Sequence, residues 1–189
     1  MNSLPEQLRS FFKRHRRVEL PDSGFTRAGV LVPIFEKDGE PHFLLTKRTE
    51  DVEHHKGQIS FPGGAVDSGD RDIIATALRE TTEEIGLNSD RVEVVGVFND
   101  MMIPTGFVVT PVVGYIVSLP VLTLSRTEVE SVIEVPFSFF REPKNKKTVQ
   151  KTRAGKLHDV YYFSFGTNEI WGATAFIIDS FLSELSRTS

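Results

Sequence analysis

Apolar positions recur at helical spacing in three places and at strand spacing over most of the rest. In residues 3–17, Leu4, Leu8, Phe11 and Phe12 fall on one side and Pro5 suits a first turn, which predicts a short amphipathic helix. Ile74, Leu78, Thr81 and Ile85 share a face; Asp70 or Asp72 can cap that helix and Gly86 can end it. Trp171, Ala175, Ile178, Leu182 and Leu185 make the apolar stripe of a C-terminal helix. Strands are predicted at Arg27–Glu36, His42–Lys47, Gln58–Phe61, Arg91–Asn99, Val108–Val117 and Val160–Phe165. Pro33 suggests that the first strand is an edge or carries a bulge. Lys37-Asp38-Gly39-Glu40 is a turn joining the first two strands as a hairpin. Asp100–Phe107 reads as a loop, and Lys144–Arg153 as a mobile basic hairpin rim. The order predicts an α/β fold in which helices cover a mixed sheet. Residues 1–24 form an N-terminal helix and linker, and residues 25–189 one domain.

Composition narrows the classes. A chain of 189 residues is long enough for a sizeable core, and fifteen phenylalanines suit one. A net charge of −4 argues against a general nucleic-acid binder. With no cysteine there is neither a disulfide nor a thiolate zinc site. No stretch is apolar enough to span a bilayer, and the N-terminus lacks a secretory pattern, so the cytoplasm is the expected compartment.

The chemistry concentrates between Gly63 and Leu87. Gly63, Gly64 and Gly69 allow close backbone approach to a ligand. On the following helix Glu80, Glu83 and Glu84 fall within roughly 100° of arc. Carboxylates at such spacing repel one another. Arg79 lies four residues before Glu83 and can pair with it, yet one arginine cannot neutralise three carboxylates. A hard divalent cation can, and Mg²⁺ takes one or two carboxylates together with substrate phosphates. A solvated acidic face is the plainer alternative, but it leaves the glycine loop and the one-sided spacing unexplained.

Arg79-Glu80, Glu83-Glu84 and Gly86-Leu87, following Gly64, resemble the signature box of the Nudix hydrolases. Thr81 stands at an apolar position of that box. Asp70 stands where the pattern has its first glutamate, with eight residues rather than seven before Arg79, so whether Asp70 replaces that glutamate is open. Upstream, Leu44-Leu45-Thr46-Lys47-Arg48-Thr49, Gly57 and Phe61-Pro62-Gly63-Gly64 are similar, with spacing kept, to the extra signature of the coenzyme A pyrophosphatase branch. Thr49 stands for Ser or Ala there, and Glu53 for a second Arg. Ile170-Trp171-Gly172-Ala173-Thr174-Ala175 resembles the start of that branch's C-terminal helix.

The resemblance implies a Nudix-type α/β/α sandwich with a mixed central sheet, and an Mg²⁺-dependent pyrophosphatase, Mn²⁺ being an alternative ion. Glu80, Glu83 and Glu84, with the Gly64 carbonyl, would hold the metal. Arg79 would orient Glu83, and a carboxylate not committed to metal would take a proton from the attacking water. An acidic residue outside the box often completes such sites, and Glu128 matches one in the coenzyme A branch; the alternative is an exposed carboxylate at a helix start. Arg48, Gly63 and Gly64 would bind substrate; Arg48 otherwise is a strand-end charge paired with Glu50 or Asp51. The partner implied is a small nucleoside diphosphate derivative: coenzyme A or its derivatives, or else ADP-ribose, NADH or a nucleotide sugar, which Glu53 favours by reversing a charge. No nucleic acid and no membrane is implied, and a homodimer is one assembly open to the chain. A non-catalytic, nucleotide-binding regulator is the remaining alternative, against which the intact glutamates argue.

Other features are weighed more briefly. Lys13-Arg14-His15-Arg16-Arg17 is an anion contact or, preferably, a solvated helix end. His54 and His55 read as loop residues because adjacent histidines rarely share a metal. Asp100 could face the site but more commonly closes a turn. Tyr161, Tyr162 and Phe163 could stack a base, although strand aromatics are more often packing.

Overall fold

The computed structural model describes residues 3–21, 24–50, 57–153 and 155–187. Helix α1 (Leu4–Arg14) is followed by strands β1 (Thr26–Lys37), β2 (Glu40–Arg48), β3 (Ile59–Ser60) and β4 (Gly63–Ala65). Helix α2 (Ile73–Ile85) leads to β5 (Glu93–Val97), β6 (Met101–Ile103), β7 (Phe107–Ile116) and β8 (Val129–Pro136). Helix α3 (Phe137–Arg141), strands β9 (Lys146–Arg153), β10 (Lys156–Phe165) and β11 (Asn168–Trp171), and helix α4 (Gly172–Ser186) complete the order.

The central sheet runs β3-β2-β1-β7-β5, with β4 on β1, β6 on β7 and β8 on β2. It is mixed: β1 pairs β7 in parallel along its length, while β2, β4 and β5 pair antiparallel. The β1–β2 hairpin follows from Asp38 and Gly39, which take φ values of 54° and 77° as a tight two-residue turn demands. Strand alternation then divides the core. Leu31 and Phe35 of β1 pack with Ala77 and Ile85 of α2 on one face. Val32 and Ile34 pack on the other with Leu8 and Phe11 of α1 and with Ile178 and Phe181 of α4. The result is the helix–sheet–helix layering expected from the sequence.

Several expectations are corrected. Pro33 lies in a central strand, not at an edge. Leu31 donates to the Pro62 carbonyl at 2.8 Å on the side where β1 leaves β4 after Val30 and joins β2 at Ile34. Backbone donors two residues apart point the same way, so the missing Pro33 N–H falls in the interval between two partners. The 100–107 segment carries β6, which pairs with β7 and turns back at Gly106. The basic stretch forms the β9 arm of a β9–β10 hairpin, as expected, but with β11 that hairpin makes a separate three-stranded sheet, β11-β10-β9. Its aromatics are spent on packing: Tyr161 stacks on Phe176, and Tyr162 on Trp171. Lys146 sits 3.8 Å from the centre of the Tyr161 ring and pairs with Asp179.

In the basic cluster at the end of α1, Lys13, Arg14 and Arg16 are exposed as a solvated helix end requires, but His15 and Arg17 turn inward. His15 stacks between Phe11 and Phe98 and meets Glu184 at 3.3 Å. Arg17 reaches buried Asp100 at 2.7 Å. Asp100 also accepts from Thr110, from the Leu20 amide and from Arg27. It faces neither the glycine loop nor a turn of its own; it ties the residues after α1 to the middle of the sheet. His54 and His55 lie outside the described residues, as do Asp51 and Glu53.

Candidate active site

Helix α2 is delimited by its own sequence. Asp72, not Asp70, is the N-cap, its carboxylate accepting from the Ala75 amide at 2.8 Å. Gly86 closes the helix in the left-handed conformation at φ 69°, with its amide bonded to the Thr82 carbonyl. Thr81 at the apolar box position is fully buried, and its hydroxyl donates to the Ala77 carbonyl, so the helix absorbs the polar atom. The buried face sets the rotation of the helix, and with it the outlook of the glutamates.

Glu84 turns inward. Its side chain is 5% exposed, accepts from the Gly63 amide at 3.3 Å and lies 3.7 Å from the Arg48 guanidinium. Burial pushes its carboxyl up to about 7, only partly offset by Arg48 and the Gly63 amide. Glu80 lies beside Gly64 so closely that a Cβ there would collide with its carboxylate. Burial also raises Glu80, against the pull of Arg79, and the charges of Glu83 and Glu128 add to the rise. Glu83 is the exposed member and pairs with Arg79 at 3.1 Å.

Arg79 is the organiser. It donates through Nε and Nη2 to Asp70, through Nη1 to Glu80 and Glu83, and through Nη2 to the Ala65 carbonyl. One guanidinium therefore joins the glycine loop to two of the three glutamates. Asp70, left open by the sequence, also accepts from the Thr76 hydroxyl and the Asp67 amide. Its carboxylate is committed to Arg79.

Glu128 does not start a helix. It precedes β8 at the end of a loop and is exposed. Its charge acts on both Glu80 and Glu84 and raises both carboxyls. Arg48 ends β2 facing Glu84, rather than pairing with Glu50. The structure thus gathers Arg48, Gly63, Gly64, Arg79, Glu80, Glu84 and Glu128 around one end of α2, with Glu83 on its outer side. Two features were not read from the sequence: the Asp70–Arg79 bond and the Arg48–Glu84 pair. Only the first has a sequence signal, an aspartate nine positions before an arginine across a glycine turn.

Among the described residues, no three histidine, aspartate or glutamate side chains converge closely enough to form a finished metal cage. The donor set nonetheless suits a hard divalent cation. It is all oxygen, it includes a buried carboxylate whose counter-charge, Arg48, stands off at 3.7 Å, and glycine rather than a side chain faces Glu80.

A mixed sheet, a glycine loop and a carboxylate-bearing helix locked to that loop by arginine define the class of fold. Residues 25–164 match the family model for the NUDIX domain. The chain belongs to the Nudix hydrolases, a pyrophosphatase family whose members typically use divalent metal ions. It is 41% identical over 152 residues to a Citrobacter koseri protein described as "Uncharacterized Nudix hydrolase NudL", covering 80% of this chain and 79% of that one. A Cronobacter sakazakii protein of the same description is 37% identical over 182 residues, covering 94% of each. Among solved structures, a MutT/nudix family protein from Enterococcus faecalis superposes with a TM-score of 0.56 at 17% identity, over 98% of this chain and 76% of that one. The Nudix hydrolase RenU from M. smegmatis gives 0.51 at 21% identity, over 60% and 71%. Among the described residues no helix is long and apolar enough to cross a membrane.

Proposed function

We propose that this chain hydrolyses the diphosphate bond of a nucleoside diphosphate derivative with Mg²⁺, and that its substrate is coenzyme A or a derivative. The observation that carries the hydrolase reading is the buried Glu84 carboxylate beneath the Gly63-Gly64 loop, with Glu80 against Gly64. Glu80, Glu83 and Glu84, with the Gly64 carbonyl, would hold the ion. Once bound, it supplies positive charge for the phosphate oxygens and acidifies water.

The chain's own residues supply position and proton transfer. Arg48 offers a cation to a substrate phosphate. Arg79 fixes Glu80 and Glu83 relative to the glycine loop. Water adds to one phosphorus as the bridging P–O bond breaks, and Glu128 takes the proton that water gives up. With coenzyme A the products are 3′,5′-ADP and a phosphopantetheine.

The substrate reading rests on Leu44–Thr49, Gly57 and Phe61–Gly64, which resemble the coenzyme A branch and which here deliver Arg48 and the glycine loop to Glu84. A second reading, cleavage of ADP-ribose, NADH or a nucleotide sugar, is favoured by Glu53 where the branch has arginine. The test is a hydrolysis panel with Mg²⁺ on coenzyme A, ADP-ribose, NADH and UDP-glucose, resolved by product, with Glu83→Gln as control. Fastest release of 3′,5′-ADP from coenzyme A, lost in the control, is expected. Faster cleavage of another panel member would transfer the assignment to it. No cleavage of any of them, with Mg²⁺ bound, would favour a nucleotide-binding regulator.

A further inference from the structure

Glu128 stands at the end of a loop whose two ends are fastened to the two halves of the site. At one end, the Thr123 amide donates to the Ile85 carbonyl at 3.0 Å and the Ser125 amide to the Glu84 carbonyl at 2.8 Å. These bonds satisfy two carbonyls that the C-terminus of α2 would otherwise leave open. At the other end stands Thr49, directly after Arg48. Its amide donates to the Glu128 carbonyl at 3.0 Å and its hydroxyl to the Thr127 carbonyl at 3.1 Å. Between them, the Glu128 amide donates to the Ser125 carbonyl at 3.0 Å. The backbone of Glu128 is therefore held on both sides, and only its side-chain torsions remain free. Thr49 itself is buried, so its hydroxyl is committed to the Thr127 carbonyl rather than to solvent.

We propose that the Thr49 hydroxyl is a positioning element for Glu128: it clamps the 123–128 loop so that this residue keeps its place beside the end of α2 that carries Glu84. The inference rests on the hydrolase reading above, with Glu128 as proton acceptor, and adds to it a residue that touches neither substrate nor metal. It also gives the Arg48-Thr49 pair a joint task. Arg48 faces Glu84 directly, and the next residue sets the height of the opposing carboxylate.

Two substitutions separate the hydroxyl from the rest of the side chain. Thr49→Val keeps the shape and the amide bond to Glu128 but removes the bond that ties the Thr127 carbonyl to β2; Thr49→Ser restores the donor. With coenzyme A and Mg²⁺, Thr49→Val should lower kcat roughly tenfold with little change in KM, because misplacing a reacting group costs rate rather than binding. Thr49→Ser should recover most of the loss. In a Glu128→Gln background, Thr49→Val should add no further loss, since the group it positions is gone. In the metal-free protein, amide hydrogen exchange of residues 123–130 should quicken in Thr49→Val, but not in Thr49→Ser, while α2 stays protected. Wild-type kcat in Thr49→Val would overturn the inference. So would an equal loss in the Glu128→Gln background, a fully active Glu128→Gln, or unchanged exchange in the loop. A wild-type protein inactive on the whole panel would sink the hydrolase reading instead, and exchange in the loop would then decide the clamp by itself.

Discussion

Asp70 receives the Arg79 guanidinium side-on, Nε at 2.9 Å and Nη2 at 3.0 Å, and so fixes a cation shared by Glu80 and Glu83. Two parallel N–H···O bonds set direction as well as distance. Arg79 cannot slide toward the outer glutamate without breaking them, so Asp70 governs glutamates it does not touch. The arginine in turn holds the Asp70 carboxyl well below the usual range, with the Asp67 amide adding to the effect.

Asp70→Asn should therefore affect both stability and rate. A depressed carboxyl contributes stability that is fully present above about pH 4 and is lost only as pH falls through its lowered folded value. The melting temperature of Asp70→Asn should lie below wild type by a similar margin from pH 7 down to pH 4. kcat should drop on the order of tenfold, as for groups that orient metal ligands from behind. Equal melting temperatures at pH 7 would show that Arg79 finds other partners at no cost.

Glu84 titrates in the opposite sense. Its folded carboxyl is raised by burial from 4.5 to about 7. The folded protein is favoured while Glu84 is protonated, and it loses that advantage as pH rises from about 4.5 through 7. At about 1.4 kcal/mol per unit, the deficit above pH 7 approaches roughly 3 kcal/mol in metal-free protein. Glu84→Gln in EDTA should be several degrees more heat-stable than wild type at pH 8, with the gap narrowing toward pH 5. It should also be inactive with Mg²⁺ at either pH. A melting difference that does not change with pH would show that the carboxylate is better solvated than its position beneath Gly63 implies.

The sequence made the spine of this site legible because its determinants are local. Caps at Asp72 and Gly86, the period of Ile74, Leu78, Thr81 and Ile85, and the Asp38-Gly39 turn all act within a few residues, and the elements they predict are present. Long-range pairings were not legible. Pro33 looks like an edge residue until β1 is seen to change partners beside it. Asp100 looks like a turn residue because Arg17, Arg27 and Thr110 approach from separate elements. Glu128 was singled out by resemblance alone, with a loop or a helix start left open, since the loop's fastening to Thr49 and to α2 leaves no periodic trace.

Asp100 yields a prediction for stability alone. Burial would raise its carboxyl, but bonds from Arg17, Thr110 and the Leu20 amide outweigh that and hold it low. Removing the carboxylate deprives the partly buried Arg17 and Arg27 of the buried partner they share. Loss of one partner from a buried pair costs about 3–5 kcal/mol, a large share of a typical domain's 5–15 kcal/mol. Asp100→Ala should thus unfold at much lower urea, and residues 15–20 should be cleaved first in limited proteolysis. The milder Asp100→Asn should turn over substrate at the wild-type rate per folded molecule. A selective fall in its kcat, with the fold intact, would mean that Asp100 communicates with the site after all.

Adjacent glycines of the loop answer to different constraints, and alanine at each separates fold from chemistry. Gly63 adopts φ 153°, and a Cβ there would run into the Gly29 carbonyl and the Val30 backbone, with Val30 Cγ1 at 2.9 Å. None of these can retreat without moving the centre of β1. Gly63→Ala should cost several kcal/mol, in the range of a forced backbone conformation with overpacking added, and should yield little folded protein. At Gly64 the three atoms nearest an added Cβ all belong to the Glu80 carboxylate, the far end of a flexible side chain that can swing aside. Gly64→Ala should therefore fold with a melting temperature within a few degrees of wild type, yet lose on the order of a hundredfold in kcat as Glu80 is displaced. Its Mn²⁺ affinity, measured by calorimetry without substrate, should weaken in parallel. A Gly64→Ala protein that binds Mn²⁺ and turns over normally would remove Glu80 from the metal set and leave Glu83 and Glu84 to hold the ion.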